Sequence, residues 1–187
     1  MHPRIAELLD YVAEQTTVLR AAYDAVPPDR RGTRPEAGRW SPAEVIHHLA
    51  IVERRLAQRL SVLIEQARAL PPETETSSVL DTPRARMAVD RTRRFVTNEA
   101  SEPRDTNPER VWDDLMDARR ALEQVVVSGD GLALGGVSAP HPALGAFTAY
   151  EWIAFVGAHA ARHADQIREM VPALAGIGDE RSALGNG

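Results

Sequence analysis

The chain has 187 residues, a formal charge of −5 and no cysteine, and all 22 of its basic residues are arginine. This length is typical of a single domain with one core. The composition excludes disulfides, thiolate ligands, a cysteine nucleophile and a lysine Schiff base. The charge is acidic and the arginines are scattered, so nucleic-acid binding is not expected. The amino terminus does not resemble a signal sequence, and no apolar run is long enough to span a membrane. We therefore expect a soluble cytoplasmic protein.

Two helices are predicted in the first part of the chain. Apolar residues recur at helical spacing from about residue 3 to residue 25, and Pro27-Pro28 ends this first helix. The second helix begins at residues 41–44, where a serine cap, a proline at the first helical position and a glutamate predict a capping box. Pro71-Pro72 ends it. His48 lies on its apolar stripe and is expected to face the core.

Two further helices are predicted in the second half. The third follows Asn107-Pro108 and closes at Gly129. The fourth starts at the capping-box pattern of residues 148–151 and is predicted to end near Pro172. Gly157 within it indicates the close approach of a neighbouring helix rather than a break.

The connection between helices two and three, roughly residues 71–107, is long enough to cross along a bundle. A short helix is predicted to start within it, at Thr82-Pro83. No stretch predicts a multi-strand sheet. The fold class is therefore predicted to be all-α, a four-helix bundle with a long crossover between helices two and three. Residues 1–175 are predicted to form this single domain, and residues 176–187 a mobile tail.

Histidines are the main indication of chemistry. His159 and His163 are four apart, so they share one helical face and could both reach one metal ion at about 2.0–2.1 Å. His48 could add a third imidazole from a facing helix, whereas His47 is rotated by about 100 degrees and is less suited. A lone histidine on an apolar face is usually a hydrogen-bonded core residue. Three buried imidazoles without a shared ligand would be costly, which favours a metal site.

Two blocks of sequence carry a resemblance to a known family. Residues 40–53 resemble the second-helix signature of the DinB/YfiT-like superfamily, and residues 141–155 and 159–167 resemble its fourth-helix signature. Members are four-helix bundles that typically bind a divalent metal through three histidines, and some are thiol-dependent transferases or isomerases. Carried over residue by residue, the resemblance implies metal ligands at His48, His159 and His163. The metal stays open among zinc, nickel, iron and copper.

Other polar residues near the histidines have competing interpretations. Glu44 could approach the site, but its capping role already explains it, and Asp165 is interpreted as a solvated surface carboxylate. The amide of Gln166 could orient a bound water or a substrate. Arg162 could neutralise an anionic substrate, although a surface arginine is the simpler interpretation. His141 precedes the fourth helix in a loop that could cover the pocket mouth, but a structural role is favoured. Three aromatic residues are interpreted as core residues that could also line the pocket: Trp40, Trp112 and Trp152.

A metal with three imidazole ligands and an open position supports two kinds of chemistry. A metal-bound water gives hydrolysis, whereas a bound substrate thiol gives transfer to an electrophile. Because the chain has no cysteine, the second route requires a small external thiol. The residues do not separate these routes. The alternatives are a non-catalytic, metal-stabilised stress-response or ligand-binding protein, and a bundle whose histidines only hydrogen-bond in the core. Relatives of this kind are frequently dimers, so a homodimer is a further expectation.

Overall fold

A computed structural model of the chain describes residues 1–69, 77–80, 90 and 99–183. This part contains four long helices, which confirms the predicted four-helix bundle: α1 (Pro3–Asp24), α2 (Pro42–Gln66), α3 (Val111–Ser128) and α4 (Ala149–Ala183). Helix α1 packs mainly on α4, and α2 packs mainly on α3. None of the helices in these ranges is long and apolar enough to cross a membrane.

A small antiparallel hairpin joins α3 to α4, in a region where no sheet was predicted. Its strands are β1 (Ser138–His141) and β2 (Gly145–Thr148), and they pair from Ser138 opposite Thr148 to His141 opposite Gly145. Each strand has only four residues, and the first contains Pro140, which lies opposite Ala146. Alternation over so short a stretch is too weak to predict a strand from sequence.

The start of α2 follows the predicted capping box. Ser41 Oγ accepts from the Glu44 amide at 3.2 Å, and the Glu44 carboxylate accepts from the Ser41 amide at 2.7 Å. The helix ends at Gln66, before the prolines that were predicted to stop it. After Gln66 the backbone is extended and pairs with the segment that follows α3. In this pairing the Arg68 carbonyl accepts a hydrogen bond from the Ala133 amide at 2.8 Å.

The predicted end of the fourth helix near Pro172 is wrong, because α4 continues through this proline to Ala183. Proline lacks one amide donor and disfavours a helix interior. Here Pro172 is exposed, while Met170 and Leu174 on either side are buried in the core and continue the inward stripe. The tail predicted for residues 176–187 stays a prediction. The short helix predicted at Thr82-Pro83 lies outside the described residues.

The predicted close approach at Gly157 is confirmed. A Cβ atom added there would lie 2.5 Å from Cε1 of Tyr11, so the tyrosine ring of α1 occupies the space that a side chain on α4 would need. Because glycine has no side chain, the Tyr11 ring of α1 can pack directly against the backbone of α4 at this position.

A buried ion pair divides the core. One apolar cluster lies beside the hairpin and the other at the opposite end of the bundle. Between them, Glu53 of α2 receives two hydrogen bonds from Arg119 of α3, at 2.5 and 2.7 Å. Arg119 also donates to Thr16 of α1. The two charged residues are only 1% and 3% exposed, so this pair joins three helices through the interior.

Candidate metal centre

The three predicted histidines converge between α2 and α4. Helix α2 presents His48, and α4 presents His159 and His163 one turn apart. One ring nitrogen of each histidine lies within 4.8 Å of one from each of the other two, and no Asp or Glu in the described ranges joins the group. Nε2 of His159 is 2.9 Å from Nε2 of His163. His48 and His163 are buried and His159 is half-buried.

The outer nitrogens of two of these rings are held by acceptors. Nδ1 of His48 donates to the Ser101 carbonyl at 2.8 Å, and Nδ1 of His163 donates to Oε1 of Gln166 at 2.7 Å. Because a carbonyl oxygen can only accept, each Nδ1 carries the proton and each Nε2 keeps a lone pair. Acceptors behind metal-binding imidazoles orient the ring and select its tautomer in this way. The Nε2 atoms of His48 and His163 can therefore each offer a lone pair to a metal ion.

The surroundings of His48 and His159 favour the neutral form of each imidazole by lowering its pKa. Burial lowers the pKa of His48, and it lowers the pKa of His159 well below its usual value. The other two imidazoles and the Arg162 guanidinium act on His159 in the same direction. A neutral imidazole is the form that binds a metal ion.

These donors fit a divalent transition metal. A set of neutral imidazoles suits zinc, nickel, iron or copper. Two ligands of a tetrahedral ion at about 2.0–2.1 Å lie about 3.3 Å apart, so the 2.9 Å between His159 and His163 needs only a small movement of the rings. Three protein donors are one fewer than the four of a closed structural zinc site.

Comparison with known proteins places the chain in a family. A sequence model of the DinB superfamily matches residues 10–167, a range that includes all three histidines. The chain belongs to the DinB superfamily. It is also similar to a solved structure titled "Crystal structure of TT2238, a four-helix bundle protein", with 19% identity, a TM-score of 0.55, and coverage of 88% of this chain and 98% of that one. This likeness shows the fold alone. Comparison with curated proteins finds no match.

Two acidic residues of this DinB-superfamily chain lie outside the histidine group. Glu44 caps α2, as predicted. Its carboxylate also accepts a hydrogen bond from Nε of Arg34 at 3.0 Å. Asp165 is exposed and pairs with Arg168 at 2.7 Å. Neither carboxylate contributes to the cluster of ring nitrogens.

Other predicted neighbours are also accounted for in this DinB-superfamily bundle. His47 points to Thr106, with 2.9 Å between Nδ1 and Oγ1, and is not part of the group. The Arg162 guanidinium donates to the carbonyl of Asp90 in the crossover. The Gln166 amide oxygen faces the outer nitrogen of His163, whereas the sequence interpretation had it orient a water or a substrate.

Aromatic rings border the histidines in this DinB-superfamily site. Phe155 stacks on His159 with ring centroids 5.0 Å apart and planes at 20°, and Trp40 lies 4.9 Å from the centroid of His48. His141 packs at 5.1 Å against Phe155. Its Nδ1 accepts from two backbone amides of the hairpin turn, so it orders that turn. Trp152 is buried against the hairpin.

Sequence reasoning missed two features of this part of the bundle. The Ser101 carbonyl that orients His48 is a backbone group, and no residue-type pattern indicates it. The Glu53–Arg119 pair could have been suspected from a glutamate in the otherwise apolar stripe of α2, but its partner lies 66 residues away.

Proposed function

We propose that this DinB-superfamily protein binds a divalent metal ion through Nε2 of the three histidines and is a metal-dependent enzyme. The reaction is transfer of a small thiol to an electrophile, or hydrolysis. The observation that supports this is the convergence of three imidazoles whose outer nitrogens are held, in two cases, by acceptors. A bound divalent ion supplies Lewis-acid stabilisation of negative charge that develops on a reacting atom.

The protein's own residues supply binding and orientation. Ser101 and Gln166 hold the rings of His48 and His163, which limits the rotamers available to those ligands. Because the chain has no cysteine, a thiol substrate comes from outside the chain. Partial exposure of His159 provides a side from which a small molecule can approach. Zinc, nickel and iron all fit the donors, and a homodimer is part of the proposal.

Metal content tests the site. Untagged protein purified without added metal should contain close to one equivalent by elemental analysis, and the three alanine variants His48→Ala, His159→Ala and His163→Ala should each lose it. His47→Ala is the matched control, because His47 is adjacent in sequence but bonded to Thr106. Equal metal content in all four variants and the wild type would contradict the proposal.

Turnover is tested separately on metal-loaded protein. Small thiols are combined with electrophiles, and simple esters are supplied without thiol. Activity that requires both the metal and one of these substrates supports the enzyme. Retained metal without activity in either assay would favour the alternative, a non-catalytic protein in which the metal stabilises the bundle or a ligand site.

A further inference from the structure

Among the described residues, the histidine group has no carboxylate ligand. Its three donors are neutral imidazoles, and within the described ranges no carboxylate shares the cluster. Arg162, which donates to the carbonyl of Asp90, also brings a positive charge close enough to act on His159. Asp165, on the same helix, is exposed and pairs with Arg168. A divalent ion held by these donors would receive no negative charge from its protein ligands, two of which are buried. An anionic ligand would then be strongly favoured over a neutral one.

The same group lies between two partly exposed aromatic rings. Phe155 stacks on His159 of α4, and Trp40 packs on His48 of α2. Both residues are half-buried, so each keeps some accessible surface. Aromatic faces and edges favour contact with another flat ring. The border of the group therefore suits an apolar, planar substituent.

We infer that the metal centre preferentially binds a small organic anion that carries an aromatic ring. The anionic end of the ligand neutralises positive charge on the metal ion held by the three histidines. Its ring packs against Phe155 and Trp40. This inference rests on the proposed function, because it requires a metal ion at the group, and it specifies the substrate class of that site.

The test uses protein loaded with Co²⁺, whose visible absorption responds to a change of ligand. Three probes are titrated: benzoate, acetate and benzyl alcohol. Benzoate should bind about tenfold more tightly than acetate, because contacts with two aromatic rings each contribute a few-fold. Benzyl alcohol, which has the ring without the charge, should not change the spectrum. The metal-free protein should bind none of the three, as measured by calorimetry.

Variants identify the two rings. Phe155→Leu and Trp40→Leu should each lower the affinity for benzoate by about three- to tenfold and leave the affinity for acetate unchanged. Trp112→Leu is the matched control, because Trp112 is also half-buried but stacks on Tyr23, away from the histidines. Cobalt content is measured for every variant, so loss of metal is not mistaken for loss of ligand binding.

The outcomes separate this inference from the function on which it rests. Failure of the wild type to retain cobalt would overturn both. Retained cobalt with equal affinities for benzoate and acetate, or with benzyl alcohol binding as well as benzoate, would overturn the inference alone. Equal losses of acetate and benzoate binding in the Phe155 and Trp40 variants would overturn the role of the two rings.

Discussion

Replacing Gln166 with leucine removes the acceptor of the His163 Nδ1–H while keeping a side chain of similar size. The bond is short, with 2.7 Å between Nδ1 and Oε1, and His163 is buried. Without the acceptor, the ring can rotate or take the other tautomer, in which Nε2 carries the proton and cannot bind a metal. We therefore expect Gln166→Leu to weaken metal binding without removing a ligand.

The magnitude follows from the position of Gln166. Loss of an acceptor behind a metal-binding histidine typically costs about 10- to 100-fold in metal affinity, or about 1.4–2.8 kcal/mol. Gln166 itself is half-buried, so water can partly replace its oxygen. The expected loss is therefore at the lower end, about tenfold. Gln166→Glu keeps an acceptor at the same place and should retain or increase the affinity.

Competition with a chromophoric chelator measures the dissociation constant for zinc in each variant. Asp165→Asn is the control, because it changes the adjacent position, where the side chain is exposed and pairs with Arg168. If Gln166→Leu binds zinc within about twofold of the wild type, the hydrogen bond from His163 to Gln166 does not prepare His163 for metal binding.

Three further predictions concern stability. Glu53→Gln leaves Arg119 buried without a countercharge and should lower the free energy of unfolding by about 3 kcal/mol or more in urea denaturation. Gly157→Ala should also destabilise the protein, by about 1–3 kcal/mol in the same assay, because the added methyl group meets the Tyr11 ring. In metal-free protein the pKa of His159 is lowered from the usual 6.5. Below that pH the unfolded chain takes up the proton first, so stability should fall on acidification by up to about 1.4 kcal/mol per pH unit for this group.

Each stability prediction has a control or a contrary result. Glu99→Gln breaks an exposed ion pair and should cost less than about 1 kcal/mol; a similar cost for Glu53→Gln would refute the argument from burial. Adding Tyr11→Ala to Gly157→Ala should relieve the contact, and a stabilising effect of Gly157→Ala alone would contradict the close approach. A stability of the metal-free protein that does not change between about pH 7 and about pH 5 would show equal proton uptake by the folded and unfolded chains.

The bundle could be predicted because each helix carries its own signals. The apolar stripes gave four helices, and the capping box at Ser41 gave the start of α2. The end of α4 could not be predicted, because a proline is a local signal for a helix end, and the burial of Leu174 that continues the helix is a property of the packed bundle. The hairpin before α4 was missed because its strands are only four residues long.

The histidine group was predictable for a different reason. Spacing places His159 and His163 on one face, and the family resemblance adds His48. The sequence does not predict which nitrogen of the His163 ring Gln166 contacts. A spacing of three residues allows Gln166 to face either the shared space or the outer nitrogen of His163, and only the rotamers in the packed bundle select the outer nitrogen.

The two acceptors behind the histidines come from very different distances along the chain. Gln166 is three residues from His163, so α4 provides that orientation as soon as it is helical. Ser101 is 53 residues from His48, so the α2 ligand is oriented only after the chain has returned from its crossover. A metal ion that binds only the completed group would stabilise the folded state by about 4 kcal/mol at a concentration a thousandfold above its dissociation constant. Metal availability would then influence how long the Ser101 carbonyl stays bonded to His48, which makes the lifetime of the folded protein sensitive to the metal supply.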